Sequence, residues 1–252
     1  MSVQKKLTTI AENVTKVYEA GVAEGKVQGR KEQYDEFWDA LQQNGNLTYY
    51  KQSFSGYGWN VNNFYPKYDI VMGTAFATFQ EFNMGNSSTP LNLRERLEEC
   101  GVKLIVTTTG QMGSTFYNAC VSEIPELDIS TISSLNTTFG NCWYLHTLAL
   151  KIADSGKTLI QSSAFTGCSA LVNFKFTGGV VAQNGLNLSS STKLSKASIE
   201  NIIEHLSTTT SGLSVTLSKT AVNTAFNTTD PSTCEEWLAL RNTRFNWTIS
   251  LA

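Results

Sequence analysis

Thr138-Phe-Gly-Asn-Cys142, followed by Leu145, Leu148 and Leu150, is echoed by Ala164-Phe-Thr-Gly-Cys168, followed by Leu171, Phe174 and Phe176. A looser copy, Thr115-Phe-Tyr-Asn-Ala-Cys120, precedes Ile124 and Leu127. Phe116, Phe139 and Phe165 lie 23 and 26 residues apart. Ala75-Phe76 opens an earlier, divergent copy, with Phe79 in the cysteine position and Phe82 in that of Leu145 and Leu171. In this reading each Phe is carried inward by a short turn or helix and each Cys fills a tight buried site. The leucines and phenylalanines that follow alternate into a core as a short strand. Asn118 and Asn141 stand near turns, where asparagine satisfies backbone groups locally. One such unit cannot bury its apolar face alone, so stacking is required and a solenoid is predicted.

The spacing falls in the leucine-rich-repeat range of about 20 to 29 residues. The pattern A/T-F-x-x-C-x-x-L-x-x-[FL]-x-[FL] resembles the leucine-rich repeats of the BspA-like class, over roughly residues 70–190. The run from Leu186 to Leu206 resembles the closing unit of such proteins encoded by phages of gut bacteria. So do Glu32-Gln-Tyr-Asp-Glu-Phe-Trp38, Gln42-Gln-Asn-Gly45, Trp59-Asn60 and Pro66-Lys67-Tyr68. The resemblance implies an α/β chain: a short leucine-rich-repeat solenoid with an N-terminal extended helix and an α/β C-terminal cap. Four segments are expected: a helical leader for oligomerisation or docking (1–45), an aromatic junction (46–69), the repeats (70–190) and a capping unit (191–252).

Outward from the repeats, residues 9–43 contain no proline and read as helix. Tyr34, Phe37, Trp38 and Leu41 follow the i, i+3, i+4, i+7 rule, and Asn44-Gly45 is a helix stop. Gly21, Gly25 and Gly29 recur every four residues after Ile10, Val14 and Val17. Glycines at that spacing share one side of a helix. Two readings stay open, an exposed frayed leader or a close helix–helix contact that joins copies of the chain, with three copies implied by the resemblance and a coiled-coil character for the leader. Residues 49–68 are dense in aromatics: either a cap over the first edge of the next domain or a surface for a glycan or protein, with Tyr57, Trp59, Phe64 and Tyr65 as its binding residues. At the other end, Ser195 is an N-cap for a helix through Leu206 with Ile199, Ile202, Ile203 and Leu206 on its apolar face. Leu213, Val215 and Leu217 alternate as a short strand, and Phe245, Trp247, Ile249 and Leu251 as a last one.

Composition narrows the chemistry. The chain has 252 residues, 41% hydrophobic and 16% charged, with a formal charge of -2. That balance supports a real core and gives no field that would draw nucleic acid or acidic lipid. No signal-peptide pattern and no membrane-spanning run is present in the sequence. Five widely spaced cysteines make a poor disulfide framework, so reduced, mostly buried thiols are expected. His146 and His205 are the only histidines and neither sits in a metal-ligand spacing. Glu123, Glu126 and Asp128 surround Pro125 and match no calcium loop, so a solvated face is expected there. No enzyme activity, cofactor or metal is expected.

The function implied is that of a phage virion structural protein, a surface-exposed attachment or decoration component. The alternative is a bacterial cell-surface adhesive repeat protein. Expected partners are further copies of the chain, other virion proteins and a host surface glycan or protein. The expected location is the virion, or otherwise the cytoplasm of the producing host.

Overall fold

The computed structural model describes residues 61–62, 64–72, 79–82, 88–107 and 109–252. The leader, with Ile10, Val14, Val17, Gly21, Gly25 and Gly29, lies outside the described residues, as do Tyr57, Trp59 and Phe76. The described chain is organised around a ladder of four phenylalanine rings. Phe79, Phe116, Phe139 and Phe165 stack face on face with centroids 5.2, 5.5 and 5.5 Å apart and planes within 11° of parallel. All four are fully buried. The backbone enforces this pitch. The amide of Phe79 donates to the Thr115 carbonyl at 2.6 Å, that of Phe116 to Thr138 at 2.8 Å, and that of Phe139 to Ala164 at 2.9 Å.

Two residues after each ring the chain turns left-handed, at Glu81, Asn118, Asn141 and Gly167. Asparagine and glycine tolerate this conformation best, which accounts for three of the four. The third residue after each ring faces the core: Phe82, Ala119, Cys142 and Cys168. Phe79 is therefore a ladder ring and Phe82 holds the cysteine position, one step from the assignment expected from sequence. Cys142 and Cys168 donate their thiols to the carbonyls of Phe116 and Phe139, at 2.8 and 3.0 Å. Edge-on rings close both ends of the ladder. Phe64 meets Phe79 and Phe82 at one end, and Phe174 meets Phe165 at the other.

The strands do not form the expected leucine-rich-repeat solenoid. Among the described residues they divide into four separate parallel sheets. In the first, β1 (Ile70–Met72) pairs with β3 (Leu104–Val106). The second runs from β10 (Asn173–Thr177) through β8 (Thr147–Lys151) and β5 (Val121–Glu123) to β2 (Leu91–Asn92), with β6 (Leu127–Asp128) also on β8. The third comprises β4 (Gln111–Gly113), β7 (Ser134–Asn136) and β9 (Leu159–Ile160). A leucine-rich-repeat solenoid has one continuous curved sheet, and two local features interrupt the run of strands here. Helix α1 (Leu93–Cys100) follows β2 directly and carries the chain away before β3 begins. Pro125 splits β5 from β6, because proline has no amide to donate to a ladder.

The fourth sheet is C-terminal: β11 (Asn187–Leu188), β12 (Leu213–Leu217) and β13 (Trp247–Leu251), all parallel. Ser195 caps helix α2 (Lys196–Glu204), accepting from the Ser198 amide at 3.2 Å. Ile199, Ile202 and Ile203 of this helix are buried. Helices α3 (Lys219–Ala225) and α4 (Glu235–Asn242) complete the unit, with Trp237 buried against Phe226. Strand β13 starts at Trp247, two residues later than the alternation predicts. The Trp247 amide is taken by the Arg244 carbonyl, which leaves Phe245 in a turn, 90% exposed. No helix among the described residues is long and apolar enough to cross a membrane.

Two sheet edges are closed by devices in the chain. Along β10, α2 supplies side chains in place of a strand. Ser198 Oγ accepts from the Phe174 amide and donates to the Val172 carbonyl, at 2.9 and 2.8 Å. Asn201 Oδ1 accepts from the Phe176 amide at 2.7 Å, and its Nδ2 donates to the Phe176 carbonyl. Beside β9, Gly185 brings the backbone so close that a Cβ there would stand 2.3 Å from the Ile160 carbonyl oxygen.

Candidate functional site

A cleft of about 510 Å³ opens where α1 has pushed β3 away from its neighbours. Asn92 starts the helix by accepting from the Glu95 amide at 3.1 Å, and Gly101 ends it in the left-handed conformation. The chain then returns through Val102 and Lys103 into β3, which bonds to β1. On the other side lies β6, which bonds to β8. Strands β3 and β6 thus flank the cleft without a hydrogen-bonded ladder between them. Its floor is apolar: Leu97, Val102, Leu104, Ile105, Val106 and Pro125. Leu97 is buried, whereas Leu104, Ile105 and Val106 are all half-exposed, although β-branched and leucine side chains in a strand are ordinarily covered.

The rim carries both signs of charge. Arg94 and Glu98 stand on α1, Lys103 follows the helix, Glu126 precedes β6 and Asp128 lies in it. Arg94 donates to Glu123 at 2.7 Å and to Glu98 at 3.0 Å, which ties α1 to β5. The Glu123 hydrogen bond, followed by its charge, raises the Arg94 pKa. Lys151 meets Asp128 at 2.7 Å, and Ser130 donates to the same carboxylate through both its amide and its hydroxyl. Partial burial works against ionisation of Asp128, but the Lys151 and Ser130 hydrogen bonds together outweigh it and hold the carboxyl below its ordinary value. Glu126 accepts from Thr177 Oγ1 at 3.1 Å, across the intervening strand β8. The three acidic side chains expected as a solvated face are therefore engaged with partners of their own chain.

The other singled-out residues lie elsewhere. Phe64 is in the core. Tyr65 is half-buried, with the Arg96 guanidinium 3.9 Å above its ring; Arg96 in turn donates to the Phe64 and Val61 carbonyls. His146 is exposed, with Nδ1 3.3 Å from Thr147 Oγ1. His205 ends α2, with Nδ1 2.8 Å from the Asn201 carbonyl. Burial pushes the thiols of Cys142 and Cys168 up, the latter to about 12, so neither is a nucleophile at neutral pH. Among the described residues no group of three or more His, Cys, Asp or Glu side chains is placed to hold a metal ion. Sequence reasoning missed the cleft and the exposed neighbours Trp143 and Tyr144, 49% and 37% accessible. The signals for the cleft were Asn92 and Gly101 bracketing a helical run, and Pro125 inside a strand-like one.

No family model, no curated protein and no solved structure matches this chain. The resemblance to BspA-like leucine-rich repeats is thereby corrected on two counts: the sheets are discrete, and no relative supports the motif. The roles drawn from it, a phage virion attachment or decoration component and a bacterial adhesive protein, fall with it.

Proposed function

We propose that this chain is a non-catalytic binding protein, and that its cleft takes a short peptide segment with an apolar anchoring side chain. The observation that carries this reading is the half-exposed floor of Leu104, Ile105 and Val106 between charges of both signs. Apolar area left open in a concave site is the common character of small-ligand and peptide pockets. The volume suits one or two side chains with their backbone, and the Lys103 ammonium offers orientation at the rim. Binding is favoured over catalysis because the carboxylates near the cleft are spent on ion pairs and hydrogen bonds. A general acid needs a carboxyl with its pKa raised, whereas that of Asp128 is lowered.

The test is a peptide array probed with the full chain and with Ile105→Glu. Ile105 is half-exposed, so the substitution leaves the core intact while placing a charge on the floor. Peptides with leucine, isoleucine or phenylalanine anchors are expected to be retained by the natural chain and to lose at least about tenfold in affinity against the variant, the worth of one buried aliphatic side chain. Equal retention by both proteins would remove the cleft as the site.

A further inference from the structure

We infer that β13 is an assembly edge, and that it pairs antiparallel with β13 of a second copy of this chain across a two-fold axis. The backbone directions are fixed by bonds already made. Gly212 donates to the Asn246 carbonyl, Ala252 donates to the Leu217 carbonyl, and the Ala252 carbonyl accepts from Lys219. Asn246 and Ala252 therefore face β12, and so do Thr248 and Ser250 by the period of two. Ile249 and Leu251 turn both amide and carbonyl to the open side, as does the carbonyl of Trp247. The edges at β10 and β9 are closed by α2 and by Gly185, but nothing among the described residues closes this one.

The usual guards against edge pairing are lysine, proline, a bulge or an inward charge. Residues 245–252, Phe-Asn-Trp-Thr-Ile-Ser-Leu-Ala, contain no charged residue and no proline. The cation next in sequence is turned back on its own chain, with Arg244 donating to the carbonyls of Leu206 and Glu204 at 2.9 and 2.6 Å. Ile249 and Leu251 are partly buried and pack against the core. Phe245, at 90% accessibility, is the most exposed large hydrophobic side chain described.

A second copy is the occupant that this edge fits. A two-fold interface requires a patch complementary to itself. A neutral edge meets its own image without like-charge contact, and each Ile249 and Leu251 supplies one donor and one acceptor. Placing Thr248 opposite Thr248 sets Trp247 against Ile249 and Phe245 against Leu251. Trp247 and Ile249 then meet on one face, the Ile249 amide donating to the Trp247 carbonyl of the second copy while the Trp247 amide stays with Arg244, and Phe245 comes to lie beside Leu251. In this register Thr248 forms a non-hydrogen-bonded pair, with Cα atoms about 4.5 Å apart.

Light scattering of the full chain is expected to give twice its 27.7 kDa. Thr248→Lys sets two ammonium groups face to face at an exposed position, and should weaken the dimer by roughly tenfold or more. Ile249→Pro removes a donor from the open edge, and should give monomers with an unchanged circular dichroism spectrum. Thr248→Cys, with oxidised glutathione as electron acceptor, should form a covalent dimer, since the separation suits a disulfide. Ser250→Cys should not. A monomeric natural chain overturns the inference. So does any assembly whose mass is unchanged by Thr248→Lys, which decides the matter if Ile249→Pro fails to fold. Crosslinking through Ser250→Cys and not through Thr248→Cys overturns the register.

Discussion

The phenylalanine ladder and the C-terminal sheet face the same question, what to do with the backbone of the last strand, and answer it differently. In the ladder each unit passes its amides to the next, until β10 hands the open bonds to Ser198 and Asn201 of a helix. In the C-terminal sheet the series stops at β13. The ladder buries rings in a regular pitch and ends in satisfied polar groups, so it is complete within one chain. The C-terminal sheet keeps partly buried apolar side chains and an outer edge that no described strand or helix covers. Regular stacking does not by itself protect an edge; side chains placed for that purpose do.

The comparison breaks most visibly at the centre of the ladder. Phe139 is sandwiched between two parallel rings, so Phe139→Ala is expected to cost about 3–5 kcal/mol in denaturant unfolding. The same variant should speed alkylation of Cys168, whose thiol bonds to the Phe139 carbonyl. In the natural chain Cys142 and Cys168 should react far more slowly at pH 8 than the partly accessible Cys100 and Cys234, and similar rates for all four would contradict the packing. Next in size, Ser198→Ala strips the end of β10 of its substitute strand. It leaves the buried Phe174 amide unpaired, at about 1–3 kcal/mol by thermal or chemical unfolding. A neutral result would mean that the β10 edge is no better closed than that of β13.

The smallest effect concerns the cleft wall. The depressed Asp128 pKa contributes stability that is fully present above its unfolded value, near 3.9, and is lost as the pH falls through the lower folded value. Asp128→Asn should therefore flatten the acid limb of stability against pH. It should cost less than about 1 kcal/mol at pH 7, because the Lys151 pair is half-exposed on both sides. An unchanged acid limb would show that the pair does not hold in solution.

Much of the core was legible from local pattern. Phe116, Phe139 and Phe165 recur with the same following residues, and burial follows from that recurrence. Ser195 announces α2 because an N-cap is a local chemical requirement. Less legible was which phenylalanine of the divergent unit joins the ladder. Ala75-Phe76 looks like Ala164-Phe165, yet the ring that stacks is Phe79, selected by its amide meeting the Thr115 carbonyl far along the chain. The division of the sheets was hidden for a similar reason. Leu93–Cys100 has a weak apolar face, with Leu93 and Leu97 alone buried, and one inserted helix is enough to redirect β3. The cleft was hidden with it, since it is the space that this redirection leaves. The edge at β13 was half visible: the alternation was clear, but that no described strand lies on its outer side belongs to topology.

The two ladder intervals that flank Phe139 differ by three residues, while the ring pitch on either side of it is the same 5.5 Å. The surplus is taken up outside the rings, partly in the loop between β8 and β9, where Gly156 turns left-handed, and partly between β9 and Phe165. Chain length and ring spacing are therefore uncoupled. The axis thus accommodates turns of unequal length, 23 and 26 residues, without a change of pitch.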